Sequence, residues 1–346
     1  MTAVAVPRRV LVSAPYLLPV LGQFRAPLER AGVELVVASV SERLNETELL
    51  EFAGQVDAAV CGDDQFTAHV LQAFSPRLKV ISKWGTGVDS IDGESAGRLG
   101  IQVFNTPGAF TDAVADSVLG YILAFARSQP WMDRALKSGR WEKTPARALA
   151  ECSLGVVGVG RIGKAVLARA RAFGMTLYGN DIIQIAPFEV RRLGVRMVGL
   201  RELCRQADFV SLNCDLNPTS HHMIDGKALE WMRPSTVIIN TARGPVIEEG
   251  ALIVALKAGR IAGAALDVFE DEPLAADSPL RAMDQVLLGA HNANSSPAAW
   301  ERVHLNTLRN LLLGLDLDIP AEWLERPRKN RRSPRQVARN GGRKGK

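Results

Sequence analysis

Residues 154–163 read Leu-Gly-Val-Val-Gly-Val-Gly-Arg-Ile-Gly, and Lys164–Phe173 continues with its apolar residues at helical spacing. The apolar run Leu154–Val157 predicts a strand that enters a glycine turn and leaves it as a helix. With no side chains at Gly158, Gly160 and Gly163, the backbone can approach a pyrophosphate at the helix N-terminus, where free N–H groups favour negative charge. The next predicted strand, Thr176–Gly179, leads into Asn180-Asp181. Asp181 lies 21 residues after Gly160, where an acidic side chain bonds the ribose 2′-hydroxyl of a dinucleotide. It would repel a 2′-phosphate and no Arg directly follows it, so the cofactor expected is NAD.

Outward from this turn, short β-rich runs alternate with helical patterns, the signature of parallel sheets built from βαβ units. Strands are predicted at Val10–Ser13, Leu35–Ala38, Ala58–Cys61, Lys79–Ser82 and Gln102–Phe104, with helices at Pro19–Ala31, Glu46–Ala53 and Ala68–Phe74 between them. Asn45 with Glu48 three residues on has capping-box spacing. Long helices follow at Ala113–Arg127 and Trp131–Ser138. A second set of six strands then runs through Leu154–Val157, Thr176–Gly179, Phe209–Leu212, Val237–Ile239, Ala264–Leu266 and Val286–Leu288. Its helices are Lys164–Phe173, Leu200–Gln206, Gly226–Met232 and Glu249–Ala258. The amphipathic stretch Pro297–Leu315 has no sheet of its own to cover and is expected to return to the first one. The fold class is therefore α/β: two doubly wound parallel-sheet domains, with a Rossmann dinucleotide-binding domain (106–292) inserted into a flavodoxin-like substrate domain (1–105 plus 293–325).

The 346 residues are 47% apolar and 23% charged, enough to bury two cores and unlike a disordered or collagenous chain. The net charge of +5 is unevenly placed, because residues 326–346 hold 10 of the 42 Lys and Arg and none of the 37 Asp and Glu. The rest is mildly acidic, and 326–346 reads as a disordered basic tail able to touch polyanions non-specifically. Cys61, Cys152, Cys204 and Cys214 are scattered without a C-x-x-C pair, which suits the reducing cytoplasm and argues against a zinc site. Pro15 and Pro19 interrupt the apolar run after Arg8-Arg9, so no signal peptide is expected, and no run is long enough to span a bilayer.

In an open α/β sheet, ligands bind beyond the carboxyl ends of the strands. The residues just past the later strands are Asn213, Asn240-Thr241-Ala242-Arg243, Asp267 with Glu272 close behind, and Ala290-His291. A cation, a carboxylate and an imidazole thus reach one rim, and hydride transfer to a 2-keto acid calls for this trio. His291 fits the acid/base role, Glu272 would raise its pKa and fix its tautomer, and Arg243 suits bidentate carboxylate recognition. His69, His221, His222 and His304 lack this placement and read as structural.

The chain resembles the D-isomer-specific 2-hydroxyacid dehydrogenases, most closely the D-3-phosphoglycerate dehydrogenase branch. The resemblance spans about residues 57–315. It rests on Gly85-Thr86-Gly87-Val88-Asp89, Asn105-Thr106-Pro107, Leu154–Gly163 with Ala172-Phe173-Gly174-Met175, Asn240–Gly244, Gly263–Pro273 and His291. It implies an NAD-dependent oxidoreductase interconverting a D-2-hydroxy acid and its 2-keto acid, acting as a homodimer. The family's catalytic Arg, Glu and His correspond to Arg243, Glu272 and His291. Implied cofactor contacts are Gly158, Gly160, Arg161, Ile162, Gly163, Asp181, Cys214, Thr241, Ala242, Arg243, Asp267, His291 and Ala293. Implied substrate contacts are Lys83, Trp84, Gly85, Thr86, Gly87 and Arg243, the glycine-rich turn offering amides as an anion nest.

The chain departs from the phosphoglycerate enzymes where Cys61 replaces their Arg and Gly62-Asp63-Asp64 follows, two acids that would oppose a phosphate. Lys83 sits where that branch has another basic residue and could still meet an anion. Asn213 replaces the usual His, Asp215 a common Pro, and Asp116 a usual Glu. Two further readings keep the fold: a dehydrogenase of another small anion, such as formate or phosphite, and an NAD-sensing corepressor-like binding protein that would use the tail for contacts. Formate enzymes carry Gln where Glu272 stands, so the carboxylate favours hydroxy-acid chemistry.

Overall fold

The computed structural model describes residues 6–324. The first sheet consists of β1 (Arg8–Val12), β2 (Val33–Val37), β3 (Ala58–Cys61), β4 (Val80–Lys83) and β5 (Gln102–Phe104), all parallel, in the order β2-β1-β3-β4-β5. This is the flavodoxin-like order. The second consists of β6 (Ser153–Val157), β7 (Thr176–Asn180), β8 (Arg196–Met197), β9 (Phe209–Leu212), β10 (Val237–Asn240), β11 (Gly263–Leu266) and β12 (Val286–Leu288). Its order, β12-β11-β10-β9-β6-β7-β8, is that of a dinucleotide fold with one further parallel strand at the edge.

Every residue of β3, β4, β6, β9, β10 and β11 is buried. Central parallel strands are covered by helices on both faces, so they read as continuous apolar runs and were legible as such. Helix Thr111–Ala126 buries Ala115, Val118, Leu119 and Ile122 in the core of the second sheet. Helix Pro297–Gly314 returns to the first sheet, packing on β3, β4 and β5. There Val303, Leu308, Leu311 and Leu312 join Val10, Val12, Val60 and Val80 in one cluster, and Ser82 Oγ donates to the Thr307 carbonyl at 2.7 Å.

Several expectations need correction. The second sheet has seven strands, not six: β8 is two residues long, too short to show a period, and only its pairing with β7 defines it. The expected helix Pro19–Ala31 is a 3₁₀ turn, Leu18–Val20, followed by Gly22–Arg30. Glu46–Ala53 ends at Leu50, although its Asn45–Glu48 capping box is formed. The short helices Gly93–Arg98 and Pro187–Leu193 add to the elements expected from sequence. The expected tail, 326–346, lies outside the described residues. Among those described, no helix is long and apolar enough to cross a membrane.

Leu311 is fully buried where the returning helix meets the first sheet. Leu311→Ala is expected to lower the unfolding free energy by about 2–5 kcal/mol, read as a lower denaturant midpoint in chemical unfolding followed by circular dichroism.

Candidate active site

The carboxyl ends of the two sheets face one cleft of about 830 Å³, walled by the loop after β4 on one side and those after β9, β10, β11 and β12 on the other. The turn after β6 lies at its edge and carries the fit test for the cofactor. Gly158 has φ +86°, and a Cβ there would lie 2.6 Å from the Cys214 nitrogen; at Gly163 a Cβ would lie 2.0 Å from the Gly158 carbonyl oxygen. Strand, turn and helix therefore pack too closely for side chains. Gly160, by contrast, faces open space, and no side chain caps helix Arg161–Ala172, which leaves its first N–H groups available to a phosphate.

Asp181 ends the next strand, its two oxygens accepting from Val159 N at 2.6 Å and Ile183 N at 2.8 Å. A carboxylate has about four lone-pair sites, so room remains for ribose hydroxyls. Asn213 Oδ1 and Thr241 Oγ1 are buried without partners at the cleft. Buried polar atoms normally find partners, and these two are placed to meet a bound nucleotide. Cys214 also lines the cleft, and burial pushes its thiol up to about 11, so it stays neutral beside the site. Ile162 and Ala242 line the cleft as well, while Arg161 lies against Gly108.

Arg243, Glu272 and His291 meet in this cleft. His291 Nδ1 lies 2.9 Å from Glu272 Oε2; since a carboxylate only accepts, Nδ1 carries the hydrogen and Nε2 is left to exchange a proton. Burial works against charge on His291, but the Glu272 hydrogen bond and charge outweigh it, and its pKa is raised. Glu272 Oε1 is fixed in turn by Phe269 N at 3.0 Å. Arg243 reaches across to the first sheet, where its Nε lies 3.0 Å from Asp89 Oδ1 and 3.1 Å from Oδ2. Its Nη1 donates to the Ala242 carbonyl at 2.9 Å. Nη2 fills the space beside Gly87, where a Cβ would lie 1.7 Å away, which is why that position is glycine.

Asp267 organises the turn that presents His291. The His291 N–H donates to the Asp267 carbonyl at 2.7 Å, and the Asp267 carboxylate accepts from Asn292 N at 3.1 Å and Ala293 N at 2.8 Å. These bonds hold His291 at φ +50°, a conformation that costs a non-glycine residue about 1–2 kcal/mol. Opposite, the Gly85 carbonyl accepts from Thr106 N at 2.8 Å and the Thr86 carbonyl from Asn105 Nδ2 at 2.6 Å. Because N–H and C=O point oppositely in a trans peptide, these bonds turn the Thr86 and Gly87 N–H groups the other way. Trp84 behind them is buried and fixed by a 2.9 Å bond from Nε1 to His304 Nδ1.

Lys83 does not offer a free cation: its buried ammonium lies 3.0 Å from Asp63 Oδ1. The Asp89 partnership and the Asp63–Lys83 pair join loops from different strands, and nothing local in sequence marks them. Tyr16, its ring tilted 5.2 Å from both Trp84 and Trp300 at the cleft wall, lies in a loop whose sequence has no pattern to mark it. His222, expected to be structural, pairs with Glu270 at 2.7 Å.

A nucleotide turn facing a guanidinium, a carboxylate-held imidazole and an amide nest defines a dehydrogenase of the two-domain α/β type. The family profile described as "D-isomer specific 2-hydroxyacid dehydrogenase, NAD binding domain" matches residues 119–293. A glyoxylate reductase of Korarchaeum cryptofilum is 38% identical over 263 residues, 74% of this chain and 79% of that protein. A D-3-phosphoglycerate dehydrogenase of Methanocaldococcus jannaschii is 40% identical over 271 residues, 77% of this chain but 51% of that protein, so the match spans about half its length. Among solved structures, the D-lactate dehydrogenase of Aquifex aeolicus with NAD and lactic acid superposes with a TM-score of 0.79 at 26% identity, covering 89% of this chain and 95% of that one. The chain belongs to the D-isomer specific 2-hydroxyacid dehydrogenase family. It is an oxidoreductase with NAD as cofactor.

The raised His291 pKa sets a pH dependence. The His291 imidazolium, the form able to give a proton, is present below the raised pKa and lost above it. Glu272→Gln removes the charge of the partner that does most to raise it, so the alkaline limb of kcat/KM for reduction is expected to move to lower pH; an unmoved limb would separate the titration from His291.

Proposed function

We propose that the chain reduces a short 2-oxo acid to the corresponding D-2-hydroxy acid, with Arg243, Glu272 and His291 as its catalytic residues. The observation that carries this reading is their convergence in one cleft with the nucleotide turn at its edge. Bound NADH supplies the hydride. The Thr86 and Gly87 N–H groups and the Arg243 guanidinium hold the substrate carboxylate, and Arg243, kept in place by Asp89, polarises the reacting carbonyl. His291 Nε2 gives its proton to the carbonyl oxygen as the hydroxyl forms, and Glu272 keeps the ring oriented and steadies the imidazolium. In the reverse direction the same nitrogen takes the hydroxyl proton.

The relatives support a small 2-oxo acid of the glyoxylate type. The resemblance to phosphoglycerate dehydrogenases covers the shared machinery, and the pairing of Lys83 with Asp63 speaks against a phosphorylated substrate. We assign residues 1–105 and 293–325 to the substrate domain and 106–292 to the NAD domain. Four unpaired cysteines support a reducing, cytoplasmic setting.

Two outcomes test this. His291→Ala is expected to lower kcat for glyoxylate reduction by about 10²- to 10⁴-fold, while NADH binding, followed by its fluorescence, persists; undiminished turnover would overturn the role. We also assign a homodimer, supported by helix Gln129–Lys137, which buries none of its residues, and by exposed Leu136 and Trp141 nearby. Light scattering at micromolar concentration is expected to give twice the chain mass, and Trp141→Asp the mass of one chain; a monomeric unmutated protein would refute the assignment.

A further inference from the structure

The first sheet's contribution to the cleft is unusual in its charges. Strand β3 ends at Cys61, whose register partner on β4 is Lys83. Gly62 then packs so closely on Pro15 that a Cβ there would lie 2.9 Å from its Cδ. The chain bends at Gly62 and Asp63, and beyond the strand the side chains of Asp63 and Asp64 part company. Asp64 turns inward, fully buried, accepting from Ser13 Oγ and from Leu44 N at 2.7 Å, and so anchors the loop after β2. Asp63 turns into the cleft, its side chain 43% exposed to the cleft interior and one oxygen on the Lys83 ammonium. The Lys83 side chain is only 3% exposed and also donates to the Trp84 carbonyl at 3.3 Å.

We propose that Asp63 sorts substrates by charge at the first-sheet wall of the cleft: by occupying Lys83 and presenting a carboxylate oxygen to the cleft, it admits 2-oxo acids whose far end carries a hydroxyl and rejects those whose far end carries a phosphate or second carboxylate. This rests on the function proposed above and names the substrate class of that site. A hydroxyl can donate to the free Asp63 oxygen, whereas a phosphate would meet like charge and find the one buried ammonium on this wall already engaged. The other cations do not replace it. Arg281 is turned to the Leu274 and Ala275 carbonyls, at 2.6 and 2.8 Å, and Arg43 lies exposed at the mouth beside Glu42. Asp63 lines the same cleft as Arg243 and His291, so its carboxylate shares the space that a substrate would occupy.

The experiment measures kcat/KM with NADH for glyoxylate, hydroxypyruvate, 3-phosphohydroxypyruvate and oxaloacetate, in the unmutated protein, Asp63→Asn, Asp63→Ala and Asp63→Ala/Lys83→Met. The unmutated protein is expected to favour hydroxypyruvate over its phosphorylated form by at least about tenfold. Asp63→Ala, which frees the ammonium, should shrink that ratio by at least about tenfold, mainly through KM, and Lys83→Met in that background should restore much of it. A ratio unchanged within about twofold across the variants, or an initial preference for the phosphorylated or dicarboxylic acid, would overturn the proposal. Stabilisation of the NAD-loaded proteins by D-glycerate against 3-phospho-D-glycerate, read as Tm, makes the same comparison without turnover. A chain that reduces none of the four acids would sink the proposed function, while the Tm comparison would still decide for or against Asp63.

Discussion

Arg243 and Asp89 are separated by 154 positions and belong to loops of different sheets, yet their side chains meet at 3.0 Å in the cleft. This ion pair is the contact on which the geometry of the site depends. A guanidinium reaching across such a cleft without an anion would spread its charge over whatever acceptors it met. Burial disfavours its charge, and Asp89, ahead of Asp63, holds it. With Nε occupied by Asp89 and Nη1 by its own backbone, only one edge of the fork is left to face Gly87 and an incoming carboxylate. The value of the pair is therefore orientation: it decides which edge of the fork is presented to the cleft.

The two walls of the cleft are rigid for different reasons. On the nucleotide side, rigidity comes from backbone crowding: the Gly158–Gly163 approach fixes strand, turn and helix together, and the Asp267 carboxylate ties down the turn that carries His291. On the other side it comes from aromatic packing, with Trp84 held between Tyr16, Phe110, Trp300 and His304. One wall presents main-chain donors and charge, the other a ring surface with the Asp63–Lys83 pair at its edge.

How much of this could be read in sequence follows from the range of each interaction. The turn at 158–163, the central strands and the rim residues Arg243, Glu272 and His291 were legible because each is set by neighbours in the chain: apolar runs, glycine spacing and positions just past a strand. The short edge strand Arg196–Met197 was not, since a two-residue segment carries no period. Pairings between loops were equally hidden. Asp89 closes the motif Gly85-Thr86-Gly87-Val88-Asp89, but its partner is defined only once both sheets are assembled. Lys83 looked like a cation available to an anion, and only the β3–β4 register brings Asp63 to it. Sequence thus located the chemical groups, while the folded chain decided which of them cancel.

The return of helix Pro297–Gly314 to the first sheet means that the polypeptide passes between the two halves twice. The passages lie side by side: Phe110 and Ala293 share one apolar cluster, Ser117 Oγ donates to the Ala293 carbonyl at 3.1 Å, and Asn310 Nδ2 donates to the Asn105 carbonyl at 3.0 Å. Two adjacent connections leave the halves fewer ways to move against one another than a single one would, which favours the arrangement in which Asp89 meets Arg243.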